Sequence, residues 1–501
     1  MTVNNMTPLH PVMLAGTGSD VGKSILATAL CRIFKQDGYR PAPFKAQNMA
    51  LNSYATPEGL EIGRAQAVQA EAAGISCHTD MNPLLLKPSS DKTSQVVLNG
   101  RPIGNKDAYD YFRREGRDEL RQAVHAAYDR LSVRYNPIVM EGAGSIAEIN
   151  LRDTDLVNMP MARYAGADVI LVGDIDRGGV FASVYGSVML QKPEDRSRIK
   201  GIIINKFRGD LRLFEQGKKM LEDLCHIPVL GVIPYFGDIH IDEEDSVDLQ
   251  NKHFQATQGK VNVAVVLLRH LSNFTDFNTL ERDERVHLYY TNNTDELEKA
   301  DIILLPGTKS TLSDLYELRR NGVAQAIQRA GRRGATVFGI CGGYQMMGQE
   351  VCDPDGVEGS ITRLPGLGLL PVTTTITGEK ITRQVEFHFR DTDAWCRGYE
   401  IHMGRTCMSE KGNDVTTLNR FSDGTTEGCC VGDYCMGTYI HGILDNSEVI
   451  DALLTPYSAR MTPLKVSDYE TFKNEQYDKL ASHVRAHLNM PLLYKILQQN
   501  D

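Results

Sequence analysis

Short apolar runs alternate with amphipathic segments along the first half of the chain. The apolar runs have the length of buried strands, and the longer segments between them have helical spacing. This alternation is typical of a parallel sheet whose strands are joined by crossover helices. It predicts a helix over 23–36 and strands over 12–16, 137–141, 168–174, 201–205 and 228–234.

A second alternating series follows an acidic stretch at 236–260, which predicts a linker. The acidic residues of that stretch are Asp238, Asp242, Glu243, Glu244, Asp245 and Asp248. Apolar runs at 261–268, 301–306 and 336–340 predict another α/β domain, and 361–440 looks strand-rich. The stretch 469–497 has helical spacing, and we expect it to pack back on this second domain. The predicted fold class is therefore α/β with two domains, 1–235 and 261–501, separated by the linker.

Composition and charge exclude several possible functions of the protein. The chain has 501 residues, of which 42% are hydrophobic and 24% charged, as in soluble globular proteins. Its formal net charge of −10 argues against a nucleic-acid partner. No run approaches the ~20 apolar residues of a membrane span, and the N-terminus lacks the features of a signal peptide. We therefore expect no membrane partner. The ten cysteines lack metal-ligand spacing, which predicts reduced thiols in a cytoplasmic protein.

The first strand leads into a loop of small residues and then directly into a helix. A loop of this kind binds phosphate through its backbone N–H groups and the helix N-terminus, with a lysine bridging phosphates and a serine ligating Mg²⁺. We predict an ATP site here, formed by Gly16, Thr17, Gly18, Val21, Gly22, Lys23 and Ser24. Thr17 stands where the common motif has its first glycine, and in this the loop resembles that of the dethiobiotin synthetase group.

Polar residues at the ends of other predicted strands extend this site. Glu141 is a candidate Mg²⁺ ligand together with Ser24. Lys45 would add positive charge over the transferred phosphoryl group, although a solvated lysine at a strand end is the alternative. Asn205 is a candidate for adenine recognition, with a turn-capping asparagine as the alternative. Asp174 and Asp176 would contact Mg²⁺ or substrate, or simply begin a helix.

A cysteine follows the predicted strand at 336–340. Cys341 is flanked by glycines and precedes a helix, the arrangement of a nucleophile elbow. His441, at a predicted strand end, would be its base, and backbone N–H groups of Gly307 and Gly342 would bind a developing oxyanion. His483 and His487 share one helical face without an accompanying carboxylate, so we interpret both as structural.

Cys341 with His441 resembles the class I glutamine amidotransferases, whose thiol attacks the side-chain amide of glutamine and releases ammonia. The resemblance places Gln345, with Gly307 and Gly342, at the oxyanion and glutamine site. Members of the common type carry a glutamate two positions after the histidine, where this chain has Ile443. The sequence therefore leaves open a Cys–His dyad or a third member, either Glu400 or Asp445.

The whole chain resembles the cobyric acid synthase family. The stretches that carry this resemblance are 44–49, 140–145, 174–181, 205–210, 272–277, 305–310 and 398–402. The resemblance implies a corrinoid substrate, adenosylcobyrinic acid a,c-diamide, amidated at its b, d, e and g carboxylates with ATP, Mg²⁺ and glutamine. It further implies acyl phosphates and a shielded path for ammonia.

Two alternative functions remain at this point. One is a cobyrinic acid a,c-diamide synthase, which shares the two-domain plan. The other is a non-catalytic regulator, because the phosphate domain also resembles partition-type ATPases. The sequence leaves the oligomeric state open, a homo-oligomer included.

Overall fold

The computed structural model of the protein describes residues 7–88, 93–107, 117–242, 252–409, 415–461 and 469–498. Four acidic residues of the predicted linker, Glu243, Glu244, Asp245 and Asp248, lie outside the described residues. Asp242, which is described, has a side chain only 7% exposed that pairs with Arg64 at 2.7 Å. The beginning of the predicted linker is therefore packed against the first domain.

The first domain is built around a parallel sheet, as predicted. Its strands are almost wholly apolar because both faces of the sheet are covered. The elements are β1 (Val12–Gly16), α1 (Lys23–Gln36), β2 (Ala42–Phe44), β3 (Gln47–Met49), β4 (Ser53–Ala55), β5 (Glu61–Gly63), α2 (Arg64–Ala73), β6 (Leu84–Pro88), β7 (Thr93–Leu98), β8 (Arg101–Asp107), α3 (Arg117–Ser132), β9 (Ile138–Glu141), α4 (Met159–Ala165), β10 (Asp168–Asp174), α5 (Val180–Met189), α6 (Pro193–Arg196), β11 (Ile199–Phe207), α7 (Glu215–Cys225) and β12 (Val229–Pro234).

The strand order of the main sheet places β1 at its centre. The order is β12-β11-β10-β1-β9-β2, and all neighbouring pairs are parallel. The carboxyl ends of β1 and β9 therefore meet at one edge, where parallel sheets bind their ligands. A separate small sheet, with the order β3-β6-β7-β8, was not predicted from the sequence.

The second domain has a parallel core extended by antiparallel strands. The sheet runs β14-β13-β15-β16-β23 in parallel and then continues through β22, β21 and β19. Its elements are β13 (Val261–Val266), α8 (Asn278–Glu281), β14 (Val286–Thr291), α9 (Thr294–Leu297), β15 (Ile302–Leu305), α10 (Thr311–Arg320), α11 (Val323–Arg332), β16 (Thr336–Ile340), α12 (Gly342–Met347), β17 (Glu350–Cys352), β18 (Arg363–Pro365), β19 (Val372–Phe389), β20 (Cys396–Met408), β21 (Val415–Phe421), β22 (Thr426–Val431), β23 (Cys435–Thr438), β24 (Ile440–His441) and α13 (Ser447–Leu454).

The last two helices correct one prediction. The apolar faces of helices α14 (Tyr469–His487) and α15 (Met490–Gln498) pack on the first domain, and the start of α14 also contacts Arg282 of the second. Their apolar side chains join the cluster that contains Leu26 and Leu30 of α1. The apolar outer face of α1 would be exposed to water without these helices. Helical periodicity in a sequence identifies an amphipathic helix but does not show which surface that helix packs against.

Ionic contacts fix these two helices in place. Arg32 on α1 donates to Asp478 at 2.7 Å, and Arg485 pairs with Asp37 at 2.9 Å. The N–H of Asn489 donates to the carbonyl of Leu230 at 2.7 Å. The C-terminal segment is thus a structural part of the phosphate-binding half.

We expect Leu480→Ala to destabilise the first domain selectively. Leu480 is fully buried against α1, and truncating such a side chain costs about 2–5 kcal/mol. Amide hydrogen exchange should therefore accelerate in 23–36 and stay unchanged in 336–340. The exposed neighbour Lys479, replaced by alanine, is the matched control. Acceleration confined to 336–340 would contradict this packing.

Candidate active sites

The loop after β1 is closed tightly around the ammonium group of Lys23. This group is buried and donates to the carbonyl oxygens of Gly18 at 2.8 Å and Gly144 at 3.0 Å. A Cβ on Gly16 would lie 2.8 Å from the Gly18 carbonyl oxygen and 2.9 Å from that of Gly144, so only glycine fits there. Gly22 has a φ of 96°, and a Cβ on it would lie 2.1 Å from Asn205 Nδ2. These close approaches explain the spacing of small residues in the loop.

Glu141 lies at the end of β9, next to this loop. Its carboxylate accepts hydrogen bonds from Lys45 Nζ at 2.7 Å, Ser24 Oγ at 2.8 Å and Gln69 Nε2 at 2.7 Å. Burial alone would raise the pKa of Glu141, but Lys45 and the other donors hold this pKa below its ordinary value. An ionised carboxylate thus stands beside the serine hydroxyl, and both are oxygen ligands of the kind Mg²⁺ prefers. Gln69 was not recognised from the sequence because it lies in the middle of a helix.

The other polar residues predicted near the phosphate site have identifiable partners. Asn205 Nδ2 donates to the Val21 carbonyl at 2.9 Å and so braces the loop. Its predicted contact with adenine stays a prediction. Asp174 pairs with Lys206 at 3.1 Å, and Asp176 pairs with Arg208. Thr17 is anchored by its N–H, which donates to the Val172 carbonyl at 3.0 Å.

Cys341 lies at the turn between β16 and α12. Its φ of 53° and ψ of −111° put it in a conformation that non-glycine residues rarely adopt. Such strain is a feature of nucleophile elbows, where it presents the side chain above the sheet. The elbow was predicted from the flanking glycines.

His441 contacts both Cys341 and an acidic residue. Its Nδ1 lies 2.7 Å from Asp276 Oδ2, and its ring lies beside the Cys341 thiol in one pocket, where the two groups interact electrostatically. The N–H of Gly442 donates to the other oxygen of Asp276 at 2.9 Å. Burial acts to lower the pKa of His441, but Asp276 and Cys341 raise it to about 10. The imidazolium form is therefore favoured at neutral pH.

Asp276 is the acidic residue that contacts His441. The sequence offered Glu400 or Asp445 as this third member of the site, and both predictions are wrong. Glu400 is paired with Arg383. Asp445 accepts a hydrogen bond from Thr279 at 2.8 Å, and burial raises its pKa to about 7. Sequence reasoning missed Asp276 because it precedes the histidine by 165 positions. Its presence in the stretch 272–277, which carries part of the family resemblance, was the available signal.

The fold brings the three predicted oxyanion and glutamine residues close to Cys341 and His441. These residues are Gly307, Gly342 and Gln345. A Cβ on Gly307 would lie 3.0 Å from His441 Cε1, and one on Gly342 would lie 2.6 Å from the side chain of Thr308. Gln345 is buried and accepts a hydrogen bond from Thr311 at 2.9 Å. The oxyanion and glutamine roles of these three residues stay predictions.

Two other sequence interpretations concern metals and membranes. His483 lies 3.0 Å from the Pro234 carbonyl and His487 lies 2.8 Å from the His483 carbonyl, which agrees with a structural role. Among the described residues, there is no group of three or more His, Cys, Asp or Glu that could hold a metal ion. None of the helices in the described ranges is both long and apolar enough to span a bilayer.

Known protein families match both halves of the chain. Residues 12–249 match the CobQ/CobB/MinD/ParA nucleotide binding domain, and residues 262–449 match the CobB/CobQ-like glutamine amidotransferase domain. The fold and the two sites thus define a protein that joins a nucleotide-binding domain to a glutamine amidotransferase domain.

Full-length relatives narrow this class. The chain is 75% identical to the cobyric acid synthases of Phocaeicola vulgatus and Bacteroides fragilis, and 58% identical to that of Parabacteroides distasonis. Each match covers 98% of this chain and 99% of the relative. The chain belongs to the cobyric acid synthase family.

We expect Asp276→Asn to reduce glutamine hydrolysis by on the order of 10²-fold or more, because the imidazole loses its orienting carboxylate. The imidazolium also becomes less stable, so alkylation of Cys341 by iodoacetamide should slow at neutral pH, with its midpoint moved to higher pH. Asp445→Asn is the matched control, since Asp445 contacts Thr279 instead of the histidine. An alkylation profile that is the same in Asp276→Asn and wild type would contradict the pairing.

Proposed function

We propose that this chain is a glutamine-dependent ligase that converts carboxylates of a corrinoid into carboxamides at the cost of ATP. Its substrate is adenosylcobyrinic acid a,c-diamide, amidated at the b, d, e and g positions to give adenosylcobyric acid. One observation carries the proposal: a phosphate-binding loop and a Cys–His–Asp site occur in a single chain whose full-length relatives are cobyric acid synthases. A cytoplasmic location without a nucleic-acid or membrane partner is part of the proposal.

The first domain activates the carboxylate. A carboxylate oxygen attacks the γ-phosphorus of ATP, ADP leaves, and an acyl phosphate forms. Lys23 and the loop N–H groups bind the phosphates, and Lys45 adds positive charge beside Glu141. Ser24 and Glu141 would hold a magnesium ion, which neutralises phosphate charge when bound. Ammonia then attacks the acyl carbon, and phosphate leaves with one oxygen of the original carboxylate.

The second domain releases that ammonia. His441 carries the proton as an imidazolium beside the Cys341 thiolate, and the thiolate sulfur attacks the amide carbon of glutamine. Backbone N–H groups at Gly307 and Gly342 stabilise the oxyanion. His441 returns its proton to the leaving ammonia, and water hydrolyses the thioester to give glutamate. Asp276 holds the ring orientation throughout.

Ammonia must remain unprotonated to act as the nucleophile. Bulk water at neutral pH would convert it to ammonium, which has no free electron pair, so the path between the sites must exclude water. The two domains make buried polar contacts on the side of the Cys341 pocket. Among them, the N–H of Ser53 donates to Asn273 at 3.1 Å. These contacts are consistent with direct transfer between domains.

Cys341→Ala should abolish amidation with glutamine and leave amidation with ammonia intact, because only the nitrogen supply is removed. The measurement is the mass of the corrinoid product, which should carry four new amides when ammonia is supplied. Cys407→Ala, at an exposed cysteine, is the matched control. Loss of both activities in a folded Cys341→Ala protein would contradict the division of labour.

Lys23→Ala should stop synthesis from both nitrogen sources, because the carboxylate is no longer activated. Glutamine hydrolysis, followed as glutamate release, should continue at a measurable rate. Lys35→Ala, at the far end of the same helix, provides the comparison. If ammonia-driven synthesis by Lys23→Ala equals that of wild type, Lys23 has no part in the mechanism.

A further inference from the structure

The pocket beside Cys341 and His441 is lined by both domains. Lys87, Gln95 and Asn105 reach it from the small sheet of the first domain, which the mechanism above does not use. Lys87 and Gln95 are both nearly inaccessible to solvent. The glutamine site of the second domain is therefore completed by strands β6, β7 and β8 of the first.

Charged side chains are concentrated around this pocket. Three lysines and one glutamate line it, namely Lys87, Lys309, Lys380 and Glu358. Glu61 lies behind them and accepts hydrogen bonds from Lys87 at 2.7 Å and from Lys380. Although its burial acts in the opposite direction, the two lysines hold the pKa of Glu61 below its ordinary value. Glu61 is therefore ionised and neutralises one positive charge of this set.

Lys309 and Glu358 are the charged groups that Glu61 does not contact. Lys309 donates to Gln95 Oε1 at 3.0 Å across the domain boundary. Burial and the neighbouring ammonium groups of Lys380 and Lys87 lower the pKa of Lys309 to about 7. Glu358 accepts from the N–H of Thr311 at 2.6 Å, and burial raises its pKa to about 7.

These groups have the chemistry that recognises an α-amino acid. With three lysines and two glutamates, the set carries one positive charge in excess when all are ionised. A buried ammonium group without a full anionic partner is unfavourable, and a ligand carboxylate relieves this. A glutamate carboxylate is the natural acceptor for an α-ammonium group. Thr311 joins Glu358 to Gln345, whose helix begins directly after Cys341.

We propose that the α-carboxylate of glutamine binds the lysines of this pocket, Lys309 foremost, and that its α-ammonium group binds Glu358. Gln95, from the first domain, positions Lys309 for this contact. The glutaminase site is thus shared between the domains, and glutamine recognition depends on their contact. The proposal rests on the role of Cys341 given above.

The test compares glutamine with its α-carboxamide, which lacks the negative charge. Wild-type protein should hydrolyse glutamine far better than this analogue. Lys309→Met should raise KM for glutamine at least tenfold and remove most of the discrimination, because the carboxylate has lost its partner. Gln95→Leu, in the other domain, should raise KM for glutamine severalfold with little change in kcat. Arg101→Ala, an exposed position on the same hairpin, should behave as wild type.

Binding without turnover gives a second readout. In a Cys341→Ala background, calorimetry should detect glutamine binding, and adding Lys309→Met should weaken it at least tenfold. Ammonia-driven synthesis reports that each variant is folded. Unchanged glutamine affinity and unchanged discrimination in both Lys309→Met and Gln95→Leu would overturn the shared site. Glutamine-dependent activity that survives Cys341→Ala alone would instead overturn the role of Cys341.

Discussion

The contact between the two domains depends on ion pairs made by one buried carboxylate. Glu61 has no exposed side-chain surface and is held between Lys87 of its own domain and Lys380 of the other. Removing one partner of a buried ion pair leaves an uncompensated charge and costs about 3–5 kcal/mol. The small sheet of the first domain is therefore fixed against the pocket of Cys341. A ligase that makes ammonia in one domain and consumes it in the other needs such a fixed contact.

The contact surface between the two domains contains buried polar groups. Besides Glu61, the interface holds Asn52 and Ser53 on one side and Asn273 on the other. The backbone N–H of Ser53 donates to the side-chain oxygen of Asn273, and the backbone N–H of Asn273 donates to the side-chain oxygen of Asn52. Asn273 belongs to the same stretch as Asp276, which orients His441. One short segment thus serves both the glutaminase geometry and the domain contact.

The sequence was most informative where local chemistry determines structure. The loop around Lys23 and the elbow at Cys341 were predictable because each requires small residues at a strand-to-helix turn. The parallel strands were predictable because burial on both faces leaves almost uninterrupted apolar runs. These features depend on neighbours along the chain.

Features that depend on distant neighbours were not predictable. Asp276 reaches His441 across 165 positions, and nothing in local spacing singles it out from Glu400 or Asp445. The last helices were assigned to the wrong domain because an apolar stripe does not specify what it covers. The small sheet was missed because its strands are short and interrupted by polar residues such as Lys87 and Gln95. Those residues lie at the boundary with the other domain, so their role can be recognised only once both domains are in place.

In the proposed reaction, nitrogen from glutamine replaces a phosphate that carries an oxygen of the substrate. The direct measurement uses the corrinoid with ¹⁸O in its carboxylates, glutamine with ¹⁵N in its amide, and ATP. Mass spectrometry of the products should find one ¹⁸O atom in inorganic phosphate for every ¹⁵N atom gained by the corrinoid. Incorporation of ¹⁵N with phosphate free of ¹⁸O would contradict activation of the carboxylate by phosphoryl transfer.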